Sequence, residues 1–127
     1  MTTAWTPDEV QRIGAAHELE IAARRPDGTL RRWVPIWVVS TGGQVYVRTW
    51  YRRDTGWFGH ALASHRARIR VPGVEADTVV EDLGQGALEL RAGIDDAYRA
   101  KYGSQGGTER MVTDEAAAAT LRLSPDL

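Results

Sequence analysis

The sequence predicts a β-rich α+β domain: a small closed or partly open barrel, mainly antiparallel, with about three helices packed outside it. Three observations predict this. Strand-like stretches outnumber helix-like ones, the connections between them are short, and most neighbours can pair as hairpins. At 127 residues, with 43% hydrophobic and 26% charged residues, the chain is one globular domain spanning 1–127, with material for one core.

The chain opens with a helix-start signature within residues 1–16. Thr6 is a good N-cap, Pro7 follows where a helix tolerates proline, and Glu9 completes a capping box. Trp5 and Val10 hold the two hydrophobic-staple positions, and Gly14 is expected to end the helix. Residues 17–24 alternate weakly, with Leu19, Ile21 and Ala23 on one face, and read as a strand. Pro26-Asp27-Gly28 has turn chemistry. Leu30 begins a strand that runs into WVPIWVV, and Pro35 within it marks an edge or a bulge. Ser40-Thr41-Gly42-Gly43 then connects to QVYVRTWY, giving a β-hairpin.

Residues 57–65 have helical spacing. Residues 67–71 alternate, with Ile69 and Val71 inward and Arg68 and Arg70 outward. Pro72-Gly73 turns the chain into a strand over 74–83, anchored by Val80 and Leu83. Residues 88–102 form a further helix, with Leu90, Ile94, Ala97, Tyr98, Lys101 and Tyr102 at three- and four-residue steps. Gly103 is a natural residue to follow it. Residues 104–113 read as a mobile loop, Asp114 as the cap of an alanine-rich turn, and 120–123 as a last strand.

Composition narrows function by exclusion. The net charge of −1 gives no electrostatic case for nucleic acid or an anionic membrane. With no cysteine there is neither a disulfide frame nor a thiol nucleophile, which fits a reducing cytoplasm. No apolar run approaches the roughly 20 residues of a membrane span. The start of the chain lacks signal-peptide character, so a cytoplasmic location is expected. No Cys/His cluster has metal-ligand spacing.

Residues 33–62 concentrate the chemistry. They hold four of the five tryptophans, two of the four tyrosines, the one phenylalanine and three arginines. On the hairpin's second strand Tyr46, Arg48 and Trp50 share one face, and Val45, Val47, Thr49 and Tyr51 the other. Arg48, Arg52 and Arg53 precede the helix that starts at Trp57, and guanidinium forks beside a helix N-terminus suit phosphate. Arg31 and Arg32 add charge from the neighbouring strand. The rings of Trp33, Trp37, Tyr46, Trp50, Tyr51 and Trp57 can build a stacking pocket, an aromatic core or a dimer interface. His60 is an acid or base candidate near them. Asp95 and Asp96 are adjacent on a helix and point apart, so they are no catalytic carboxylate pair.

The motifs W-x-P-D-E, DG-x-LR followed by IWVV, YVRTW, W-F-x-H-A, and IDDAYRAKYG followed by TLRL-x-P cover nearly the whole chain. Together they resemble a widespread, uncharacterised family of small bacterial proteins. That family resembles the flavin- and deazaflavin-binding split barrels, which include pyridoxamine-phosphate oxidase-like proteins and deazaflavin-dependent nitroreductases. The resemblance implies a split β-barrel and an oxidoreductase that uses FMN or a deazaflavin on a small organic molecule. It implies that Arg48, Thr49, Arg52 and Arg53 hold the cofactor phosphate, beside Trp57. Trp37, Trp50 and Phe58 would then line the substrate pocket, with His60 and Tyr51 as catalytic groups. Where the nitroreductases carry a G-R-K-S-G-like phosphate motif, this chain has Asp27-Gly28-Thr29-Leu30-Arg31-Arg32. That departure leaves two alternatives. One is a cofactor-independent enzyme of small-molecule metabolism with His60 or Tyr51 as acid or base. The other is a non-catalytic dimeric binding protein. The aromatic excess leads us to expect a homodimer.

Overall fold

A computed structural model of the chain describes residues 4–49, 56–84, 86–103 and 106–126. In chain order the elements are α1 (Pro7–Ala15), β1 (Leu19–Ala23), β2 (Val34–Ile36), β3 (Val39–Thr41), β4 (Gln44–Arg48) and α2 (Gly56–Ser64). There follow β5 (Arg66–Val71), β6 (Val74–Gly84), α3 (Leu88–Tyr102), α4 (Thr108–Met111), α5 (Asp114–Ala117) and β7 (Thr120–Pro125). The strands form one seven-stranded sheet in the order β2-β1-β5-β6-β7-β4-β3. Each of its pairings is antiparallel.

That order explains the curl. β2 lies on one edge and β3 on the other, yet only Trp37 and Val38 separate them in the chain. At about 3.3 Å per residue, the step from Ile36 to Val39 spans roughly 10 Å. The two edges must therefore approach each other, and the sheet rolls into a half-barrel with a seam at residues 37–38. The expected single strand over residues 33–39 is thus two short strands that change edges. Pro35 sits in edge strand β2, opposite Glu20 of β1, as expected for a proline within a sheet.

The last turn of α3 seals the seam. Val38 pairs with no strand, so its peptide groups need other partners. The Tyr102 hydroxyl accepts from Val38 N at 3.1 Å and donates to the His17 carbonyl at 2.7 Å. Lys101 Nζ donates to the Val38 carbonyl at 2.6 Å. Trp37 stacks on Tyr102, with ring centres 4.1 Å apart and planes within 2°.

Two apolar layers lie on the two faces of the sheet. Inside the curl, Val45, Val47, Ile69, Leu121 and Leu123 meet Ile13 of α1 and Phe58 of α2. On the other face of β3 and β4, Val39 and Tyr46 pack against Ile94, Tyr98 and Tyr102 of α3. The alternation read along β5 is borne out, since Ala67, Ile69 and Val71 are buried between less buried arginines, whereas β4 is buried on both faces, Val45 and Val47 in one layer and Tyr46 in the other. The outer face of β1, β5, β6 and β7 carries ion pairs instead. These include Arg70–Glu20, Arg68–Asp77 and Arg122–Glu81.

Local chemistry accounts for the ends. α1 has the full capping box, with Thr6 Oγ1 accepting from Glu9 N and Glu9 Oε1 from Thr6 N. Trp5 is buried and its indole N–H donates to the Leu123 carbonyl at 2.8 Å, which ties α1 to β7. The β3–β4 turn is the two residues Gly42-Gly43, at φ 60° and 78°. Both central positions of this hairpin loop therefore need the left-handed region that glycine supplies.

Some expectations need correction. The described residues hold five helices rather than about three, because α4 and α5 are one-turn helices with no readable period. The region expected to be a mobile loop over 104–113 contains α4. Thr113, not Asp114, caps α5, accepting from Ala116 N. Gly103 does follow α3, but in the right-handed region at φ −62°. Its glycine is explained by space, since a Cβ there would lie 2.2 Å from the Arg99 carbonyl oxygen.

Candidate functional site

Beside the seam lies a cavity of about 470 Å³. Edge strand β2 supplies Val34, Pro35 and Ile36, and the seam supplies Trp37. Arg48 and Thr49 come from β4 and its end, Trp57 from the first turn of α2, and Met111 from α4. Exposed Glu18 and Arg110 stand at its rim. Trp37 is fixed by its stack on Tyr102, and Trp57 by an edge contact with Phe58 at 5.4 Å. The aromatic walls are therefore held in place before any ligand arrives.

Arg48 is the best-tied group in the cavity. The guanidinium is buried in the protein, with 1% of the residue exposed. Its Nε donates to Thr120 Oγ1 at 2.9 Å, on the residue directly opposite in β7. Its Nη1 donates to Asp95 Oδ1 at 2.5 Å and to the Met111 carbonyl at 2.8 Å. Asp95 also faces Arg91 at 3.5 Å, and Arg91 pairs with Asp114 at 2.8 Å. The four charges alternate and sum to zero. Nη2 of Arg48 is buried without a hydrogen-bond partner. The Tyr98 ring lies 5.6 Å from the guanidinium carbon, and burial pushes its hydroxyl well above the ordinary tyrosine value.

A second recess, of about 280 Å³, adjoins the first and shares Val34 and Trp57 with it. Its character is different: Arg25, Arg31, Arg32 and His60 line it, with Gly56 at the start of α2. Among the described residues no carboxylate pairs with these three arginines. Arg25 is held by the Leu30 carbonyl at 2.7 Å, and Arg31 Nε is buried without a partner. A third recess of about 420 Å³ continues past Arg25, Arg31 and His60 to Arg24 and Arg66.

The structure thus separates the residues singled out in the sequence. Trp37, Arg48, Thr49 and Trp57 come together at the first cavity. Phe58 is buried in the core inside the curl and lines none of these recesses. His60 is exposed and lines the basic recess rather than the aromatic cavity. Trp50, Tyr51, Arg52 and Arg53 lie outside the described residues. Asp95 and Met111 were not foreseen as site residues. Asp95 lies on the buried stripe with Ile94 and Tyr98, and a carboxylate on such a stripe is the available signal. Of the six rings behind the dimer expectation, Trp37, Tyr46 and Trp57 have packing partners within the chain, and Trp50 and Tyr51 lie outside the described residues.

The family model described as "Uncharacterized protein conserved in bacteria (DUF2255)" matches residues 9–123. The chain belongs to this family. No curated protein matches it significantly. As a DUF2255 protein it has clear structural relatives. One is the conserved hypothetical protein Rv2991 from Mycobacterium tuberculosis, at TM-score 0.65 and 12% identity, covering 98% of this chain and 83% of that one. Another is a FAD-binding protein, mll6688, from Mesorhizobium loti, at TM-score 0.61 and 15% identity, covering 99% and 93%. A third is an F420 reductase, at TM-score 0.52 and 14% identity, covering 92% of each chain. At such identities the likeness establishes the fold, and the DUF2255 chain is a split barrel. No described helix is long and apolar enough to cross a membrane.

Proposed function

We propose that this DUF2255 protein binds a flavin or deazaflavin cofactor and uses it as an oxidoreductase on a small organic molecule. The observation that carries the reading is the pair of adjoining recesses that share Val34 and Trp57. One is aromatic-walled, and the other holds three arginines unmatched by described carboxylates. A planar ring joined to an anionic tail has this division of chemistry. The printed names of two structural relatives, a FAD-binding protein and an F420 reductase, support the same reading.

The residues fit such a group. Arg31 Nε, buried and unpartnered, calls for an acceptor. Arg25 and Arg32 would add donors for a phosphate or carboxylate tail. His60 would contribute an imidazole N–H donor there. The phosphate-holding role expected of Arg48 passes, in this reading, to Arg31 and Arg32. Trp37 and Trp57 would shape the slot for the ring and exclude water from one side. When bound, the cofactor supplies the hydride chemistry, and the chain supplies orientation and electrostatics.

The test is a titration of purified protein with FMN, FAD and coenzyme F420, read by tryptophan quenching and by the cofactor's own absorbance. Saturable binding at micromolar concentration or below is expected for at least one of them. Arg31→Ala should weaken it by about tenfold or more, the loss expected of one charge-assisted contact. Absence of binding to all three by the folded protein would overturn the reading.

A further inference from the structure

The basic recess says more about its ligand than that it is an anion. Over most of the surface the arginines are matched in place. Arg12, Arg66, Arg68, Arg70, Arg99 and Arg122 each lie against an Asp or Glu. Arg25, Arg31 and Arg32 have no carboxylate partner among the described residues, and all three line one recess. Asp27 lies in the same turn as Arg25, but its Oδ1 is taken by the Thr29 amide and hydroxyl at 3.0 and 2.7 Å. Like charges gathered in this way repel, and a bound anion removes that cost.

The donors are open to such a ligand. Arg32 is exposed. Arg31 has its Nε shut in, while its two Nη groups are neither bonded nor sealed. Arg25 spends Nη1 on neutral oxygens, the Leu30 carbonyl at 2.7 Å and the Thr29 hydroxyl at 3.5 Å, which leave its charge in place. The backbone amides of Arg25 and Arg31 are fixed at 2.8 Å to the Thr29 and Ala23 carbonyls, so the side chains start from set positions.

The donors are also strung out instead of converging on one point. Arg25, Arg31 and His60 line both the recess of about 280 Å³ and the one of about 420 Å³, so they stand where the two meet. Arg32 belongs to the first alone, and Arg66 to the second alone. Arg24 and Arg66 are already paired with Asp77 and Asp126, so the second recess adds polar lining with little net charge. One phosphate held by Arg32 and Arg31 leaves Arg25 unmatched.

We propose that the two recesses together take a diphosphate, the first phosphate against Arg32 and Arg31 and the second against Arg25 and His60. The proposal rests on the reading that this recess binds the cofactor's anionic tail. It takes from that reading the anion alone, and a diphosphate reaches the site either within a flavin dinucleotide or without any flavin.

The experiment titrates cofactor-free protein with inorganic pyrophosphate and with orthophosphate at equal ionic strength, read by calorimetry and by NMR at the Trp57 indole and the His60 ring. The wild-type protein should bind pyrophosphate at least about tenfold more tightly. Arg25→Gln and Arg32→Gln should each bring that ratio toward one, and Arg122→Gln, on the outer face of the sheet, should leave it unaltered. Arg32 makes no contact the fold needs, so its variant reports even where Arg25→Gln fails to fold. Equal affinities in the wild type, binding of neither probe, or an equal loss in Arg122→Gln would overturn the proposal. So would a ratio untouched by Arg32→Gln. FAD and FMN, added next, separate the sources: FAD should bind more tightly than FMN and be displaced by pyrophosphate. A pyrophosphate preference with no flavin binding would sink the redox reading and leave this one standing. Flavin binding without that preference would do the reverse.

Discussion

At the scale of the residue, Arg48 shows how far a sequence can be read and where reading stops. Period-two alternation puts Arg48 on the face of β4 opposite Val45 and Val47, and that placement is legible from the strand alone. Its partner Asp95 lies 47 residues away, on a helix whose position against β4 only the folded chain defines. Spacing rightly set Asp95 and Asp96 pointing apart: the first turns inward to Arg48, and the second faces Arg99 at the surface. What spacing lacked was any term for contact between distant elements. The pair sets a stability prediction. Asp95→Ala leaves a guanidinium buried and uncompensated, and should cost about 3–5 kcal/mol. Replacing both partners, as in Arg48→Met with Asp95→Leu, should recover most of that loss. Urea denaturation of the two single variants and the double variant measures the coupling directly. Near-additive losses would mean the pair contributes little beyond its separate packing.

At the scale of the element, success followed local chemistry and failure followed topology. The span of α3 over 88–102 is fully legible, because its apolar residues repeat at helical steps over four turns. The start of α1 is legible because the capping box is written in four consecutive residues. The break between β2 and β3 is not local. The side chains of Val34 to Thr41 are compatible with one long strand, and the switch of edges is imposed by where β1 and β4 lie. The sequence does carry a trace of the break, in the consecutive buried residues Val38 and Val39, which a regular strand would place on opposite faces. Because the seam has no ladder, its hydrogen bonds fall to α3. Tyr102→Phe should therefore leave the Val38 amide buried and unpaired, costing about 1–3 kcal/mol. The local signature would be faster hydrogen exchange at Val38, with the amides of β5 and β6 unaffected below global unfolding. Equal loss of protection across the sheet would show that the hydroxyl acts through overall stability instead. The cap is a smaller test of the same kind: Thr6→Ala should cost about 1 kcal/mol.

At the scale of the whole molecule, the closure of the barrel places titratable groups in the joint, and closure should therefore depend on pH. Burial holds Lys101 below its ordinary value of 10.5, at about 8. Burial likewise pushes Tyr102 up from 10.0 to about 12, and raises Tyr98 as well. The signs follow from which state holds more protons. Between about pH 8 and 10.5 the unfolded chain keeps the Lys101 proton that the folded one has lost, so stability rises with pH across that window. Below pH 8 both states are charged, and the folded state bears the full burden of the half-buried ammonium. Above pH 10 the unfolded chain loses its tyrosine protons first, so stability falls as pH climbs toward 12. The urea midpoint should therefore be higher at about pH 9.5 than at about 7.5, and should drop again by about pH 11. Lys101→Met removes the ammonium and should flatten the first limb while leaving the second. A rise that survives in Lys101→Met would assign the alkaline gain to another group. Loss of the fall in Tyr102→Phe, with the rise intact, would place the second limb at the seam. The stability profile of the whole fold would then be governed by the last turn of one helix and the two-residue gap it closes.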